Sequence, residues 1–173
     1  MTRPDPDHKL LGISDHEYLT ESVDETRLAC AELAGQARHQ LRLFSHRLAS
    51  ELFDQAAFIE ALRQLATERP RSRIRLLFSE SDALTSSGHR LPRLAQRLPS
   101  RLQLQRVDEE YRDEADNFLL ADEAGCLYLA DWRDNARARV NFNDRLRARE
   151  LGERFETLWE HSHPDPALRR LPL

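Results

Sequence analysis

The chain has little of what small folds use to staple themselves or to cradle cofactors. Its two cysteines, Cys30 and Cys126, are too few for a disulfide framework. Both stand inside apolar patterns, which fits buried free thiols in a reducing compartment. The five glycines, at positions 12, 35, 88, 125 and 152, never cluster. That excludes a Walker loop, a dinucleotide fingerprint and an acyl-CoA pyrophosphate loop, each of which needs glycines close together to bring backbone N–H groups onto phosphate. HExxH and GxSxG are missing too, and no cofactor is expected. No stretch approaches the ~18 consecutive apolar residues of a membrane span, and the opening "MTRPDPDHKLLG" offers acids and prolines in place of an apolar leader. A cytoplasmic protein with no membrane partner is the expectation.

What is there amounts to one core. A chain of 173 residues, 40% hydrophobic and 32% charged, is long enough for one packed domain and short for two. The net charge of −4 provides no global basic field, so nucleic acid is not the expected partner and any anion site must be local. Residues 1–20 read as a Pro- and Asp-containing lead-in, 21–161 as the domain and 162–173 as a C-terminal tail.

Periodicity sets out the elements. Val23, Thr26, Cys30, Leu33 and Ala37 recur at helical spacing, predicting a helix that ends near His39. A strand follows from Leu41 to His46. Ser50 opens a helix with Leu52, Ala56, Ile59, Leu62 and Leu65 on one face, stopped before Pro70. "RIRLLFS" (73–79) is a second strand, a short helix spans about 92–98, and "LQLQRV" alternates as a third strand. "NFLLAD" and "CLYLAD" are separated by Glu123, Ala124 and Gly125, which predicts a tight hairpin. A short strand over 138–142 precedes the last helix. Strands separated first by helices and then by a hairpin imply an α/β fold, a mixed β-sheet with helices on both faces.

The run "EADNFLLADEAGCLYLADWRDNARARVNFNDRLRARELGERFETLW" resembles the catalytic half of the phospholipase D superfamily. Laid on that family's His-x-Lys-x4-Asp signature, "FLLAD" puts Ala115 at the His position, Asn117 at the Lys position and Asp122 at the Asp position. The following Gly-Ser-x-Asn turn falls on Leu129, Ala130, Asp131 and Trp132. Asn141, Asn143 and Asp144 resemble the downstream polar element. The likeness spans about residues 37–160 and implies a single phospholipase D-like half-domain with a degenerate motif. Such chemistry needs one imidazole to attack phosphorus, another to protonate the leaving oxygen, and Lys and Asn donors for the phosphate oxygens. Lys9 is the only lysine of the chain, so the resemblance implies no catalytic residue and a pseudoenzyme. A half-unit of this family pairs with a second copy to complete its site, which implies a homodimer with Trp132 as an aromatic anchor. The competing arrangement is a monomer whose cleft is covered by the tail through Leu168, Leu171 and Leu173.

Ligands of α/β sheets collect outside the carboxyl ends of strands. That rule and the resemblance give His46, Glu80, Asp122, Asp131, Arg133, Arg139, Asn141 and Asn143 as candidate ligand-binding residues. The bland alternative for His46 is a capping or surface group. Arginines 133, 137, 139, 145, 147 and 149 suit a phosphorylated small ligand, although the interleaved Asp131, Asp134, Asp144 and Glu150 also describe a solvated face. "TSSGH" before "RLPRL" has the donors of an anion nest, or of an ordinary loop. His161 and His163 beside Glu160 and Asp165 lack a third ligand, so no metal site is expected. The functional expectation is a binding or assembly module. Its rivals are an accessory domain for an N-acetyltransferase and a hydrolase that uses His46.

Overall fold

The computed structural model describes residues 9–86 and 88–169. An eight-stranded mixed sheet runs in the order β1 (Tyr18–Leu19), β7 (Ala138–Asn141), β6 (Gly125–Leu129), β5 (Asn117–Ala121), β2 (Gln40–Ser45), β3 (Arg73–Phe78), β4 (Leu102–Val107), β8 (Ser162–His163). The three central strands β2, β3 and β4 are parallel, and β5 joins them antiparallel to β2. The carboxyl ends of β2 and β3 therefore lie at the same end of the sheet as the amino end of β5.

Alternation along the strands divides the core in two. Leu41, Leu43, Ile74, Leu76, Leu119 and Leu127 face the helices α1 (Val23–Gln36), α3 (Ala56–Glu68) and α5 (Arg90–Arg97), the last preceded in the chain by the single turn α4 (Asp82–Thr85). Phe44, Leu77, Phe118 and Leu120 face α6 (Arg145–Glu160), which covers the other side through Ala148, Leu151, Phe155 and Leu158. Helices on both faces of a mixed sheet are what the sequence predicts. Among the described residues no helix is long and apolar enough to cross a membrane.

Three differences have physical causes. The helix expected from Ser50 onward is two helices, α2 (Ser50–Phe53) and α3, because Asp54 turns to Arg90: its carboxylate accepts from the Arg90 N–H and Nε, and its carbonyl from Nη2. The buried face of α3 is accordingly Phe58, Ala61, Leu62 and Leu65, with Ala56 exposed. The hairpin loop is Asp122–Ala124, since Gly125 already pairs with Ala121. Gly125 serves closeness and not the turn: a Cβ there would stand 2.6 Å from Leu11 Cδ1 and 2.8 Å from Leu33 Cδ2. Finally, residues 9–20, read as lead-in, dock on the domain. Gln36 accepts from Leu11 N and donates to Lys9 O, Gly12 N donates to Phe142 O, and β1 adds an edge strand. At the opposite edge the tail contributes β8 and α7 (Pro166–Arg169).

Candidate functional site

His46 follows the last residue of β2, and the backbone there is tied in three directions. Its N–H donates to Asn117 Oδ1 at 2.9 Å, and its carbonyl accepts from Ser79 N and Glu80 N, each at 2.8 Å. The next turn is closed by Leu48 N donating to Ser45 Oγ, with Leu48 in the left-handed region at φ 50°. These bonds direct the imidazole across the sheet end, where it stacks on Trp132 with centroids 4.1 Å apart and planes 9° from parallel. Trp132 is held in turn by its N–H donating to Ala115 O at 2.8 Å, and Arg133 and Arg47 lie over its ring at 4.9 and 5.4 Å. One aromatic and two cation–π contacts thus hold the ring in place.

His46 is buried, its Nε2 is 3.4 Å from Glu80 Oε1, and its Nδ1 has no partner among the described residues. Arg112 reaches Glu80 at 3.5 Å and Glu109 at 3.1 Å. Together with Asp113, Ala115, Trp132 and Arg133 these groups line an open cleft of about 540 Å³. Chemically it offers an imidazole coupled to one carboxylate, an aromatic wall and two guanidiniums among three acids. A larger hollow of about 980 Å³ lies at the other sheet end, beside Leu11, Gly35 and Asp122. Its central polar groups, Asp122 and Gln36, are already occupied by backbone, and it has no buried imidazole facing a carboxylate, so the strand-end cleft is the better candidate.

Of the residues named from sequence, the fold gathers His46, Glu80, Ala115, Asn117, Asp131 and Arg133 at this end. Asn117 is buried and committed to the His46 N–H, while Ala115 is exposed on the cleft wall. Asp131 accepts from Arg133 N at 3.0 Å. The others lie elsewhere. Asp122, at φ 52°, is at the opposite end of β5, where its Oδ1 accepts from the N–H groups of Arg38, His39 and Gln40 at 3.1, 2.8 and 3.1 Å. Asn141, at that same end, donates to Asp15 and accepts from Asn143 N. Arg139 is exposed in mid-strand, paired with Leu19 near the sheet margin. Of the histidine tract, His163 meets Asp108 Oδ1 at 3.0 Å and His161 meets Thr157 O at 2.9 Å. Leu168 packs into the core with β4 and α5, away from the cleft, while Leu171 and Leu173 lie outside the described residues.

Two features were not read from sequence. Arg112 sits in an irregular stretch with no periodic signal. Asp116, beside the cleft, is bound by the Arg154 guanidinium, which also reaches Glu114 at 2.7 Å. Burial works to raise the Asp116 carboxyl, and Arg154 outweighs it, leaving the group below its ordinary range.

Comparison with known proteins places this geometry. The family described as "Domain of unknown function (DUF7931)" matches residues 22–171. No curated protein matches the chain. Among solved structures, the phospholipase D family member Nuc from Salmonella typhimurium superposes with a TM-score of 0.61 at 12% identity, covering 86% of this chain and 97% of that one. NucT from Helicobacter pylori gives 0.62 at 11% identity, with 87% and 99% covered. TrmBL2, described as an archaeal chromatin protein with a novel mode of DNA binding, gives 0.62 at 17% identity over 88% of this chain. The chain spans 55% of the length of that protein. At these identities the likeness is one of fold, and the fold is phospholipase D-like.

Proposed function

We propose, for a chain that belongs to the DUF7931 family and has a phospholipase D-like fold, that it is a catalytically silent binding and assembly module working through the strand-end cleft. The observation that carries this reading is Asn117. At the position where the family resemblance calls for a phosphate-binding lysine, a buried amide holds the backbone of His46, and no amine can reach the cleft from there. Ala115, at the position of the nucleophilic imidazole, has no group to attack phosphorus. Loss of a nucleophile and its chief electrostatic partner costs orders of magnitude in rate. What remains is an aromatic and mixed-charge surface, with Trp132 at its centre, suited to a second copy of the chain more than to a phosphodiester: Glu80, Glu109 and Asp113 repel the anion that two arginines would attract.

A second reading rests on the 3.4 Å approach of His46 Nε2 to Glu80, which could orient the imidazole as a general base for a different hydrolysis. One assay addresses both. The purified protein is expected to leave bis-p-nitrophenyl phosphate, phosphatidylcholine and DNA at background rates, with and without His46→Ala. Turnover abolished by His46→Ala would sink the silent reading and favour the second.

A further inference from the structure

On the α6 face of the sheet, Arg42 of β2 and Arg75 of β3 are register neighbours, and both are buried. Arg75 is well served. Its two terminal nitrogens hold both oxygens of Glu156 at 2.8 and 2.6 Å, and its guanidinium lies over the Phe155 and Trp159 rings at 5.2 and 5.4 Å. Arg42 is left over. Its Nη1 stands at the looser distance of 3.6 Å from the same Glu156, and its Nε is buried without a partner among the described residues. A buried guanidinium short of acceptors is costly, because its lost hydration is only partly replaced. Burial accordingly lowers the Arg42 pKa, and Glu156 only partly restores it.

The head of Arg42 opens into a groove of about 600 Å³ along the first half of α6. Gly152 makes the space: a Cβ there would stand 2.7 Å from Arg42 Nη1. Leu146 and Ala148 give the groove apolar lining, and Arg145 and Arg149 line it without an ion pair among the described residues. Glu123, Glu153 and Glu156 share the lining, but the Glu156 charge is already taken by both terminal nitrogens of Arg75, which leaves three arginines facing two uncommitted acids. The groove has no residue in common with the strand-end cleft.

We propose that this groove binds a small phosphomonoester, with Arg42 as the buried anchor and Arg145 and Arg149 closing on the outward oxygens. A planar carboxylate is satisfied by one guanidinium fork, whereas a tetrahedral dianion accepts from several directions at once, which is what arginines on a strand and on two turns of a helix supply. The volume suits a small organic body lying against the exposed Leu146.

The test titrates the full chain with inorganic phosphate and with glycerol 3-phosphate at constant ionic strength, followed by thermal melts and calorimetry. Both ligands are expected to raise the melting temperature saturably, glycerol 3-phosphate at the lower concentration. Arg42→Met should bind on the order of tenfold or more weakly, the loss expected for one charge-assisted contact. It should still fold, since an apolar chain replaces a buried cation whose neighbouring carboxylate, Glu156, stays held by Arg75. Gly152→Ala should weaken binding by displacing Arg42, and Glu153→Gln should strengthen it. If Arg42→Met does not fold, the exposed pair Arg145→Ala with Arg149→Ala carries the same test. No saturable response in the unmodified protein, an equal response in the variants, or a preference for acetate or succinate over phosphate would each overturn the proposal.

Discussion

His89 joins two segments that would otherwise have open ends. Its Nδ1 accepts the Leu91 N–H at 3.3 Å, capping α5, so the ring proton is on Nε2, which donates to Leu48 O at 3.0 Å. That second bond steadies Leu48, whose left-handed backbone is uncommon for a branched side chain. The loop read from sequence as a possible anion nest thus ends in a histidine used for capping. Protonation would break the cap, and burial lowers the His89 pKa below its ordinary 6.5. As pH falls below 6.5 the unfolded chain takes up a proton that the folded chain still refuses, so stability present above that value declines. Thermal melts between about pH 7.5 and 5 should show a falling melting temperature, with a shallower slope in His89→Asn. Equal slopes would remove His89 as the source.

Among the elements, the β5–β6 hairpin is the test of the core. Leu120 is fully buried against α6, so Leu120→Ala should cost about 2–5 kcal/mol, while exposed Arg137→Ala should stay within about 0.5 kcal/mol. Denaturant melts of the two variants measure the difference, and equal midpoints would contradict the packing. The strand was legible because Phe118, Leu119 and Leu120 form an unbroken apolar run, the mark of a strand buried on both faces. The break at Asp54 was not, because its cause is Arg90, a partner distant in sequence. Likewise the cleft was half legible. Strand ends named His46 and Glu80, but nothing local in "DWRDN" announces that Trp132 will lie on an imidazole contributed by β2's end. Asp122 was read by motif as a site residue, and only the antiparallel register of β5 reveals that it faces the other way along the sheet.

For the whole molecule, the proposed assembly makes a sharp demand. Sedimentation velocity at micromolar concentration should find a dimer, and Trp132→Ala should weaken it, because aromatic anchors dominate interface energetics. A monomer would refute the pairing, and a dimer indifferent to the substitution would move the interface elsewhere. The antiparallel seam between β2 and β5 has one more consequence. The five residues of β5 keep Asn117 roughly 17 Å from Asp122. Asp122 gathers the N–H groups that start β2, so it is a clasp for the sheet. Asn117 braces the His46 turn from one end of β5 while Asp122 closes the sheet from the other. The cleft end of this strand can therefore change its side chains while the far end goes on holding the start of β2 in place.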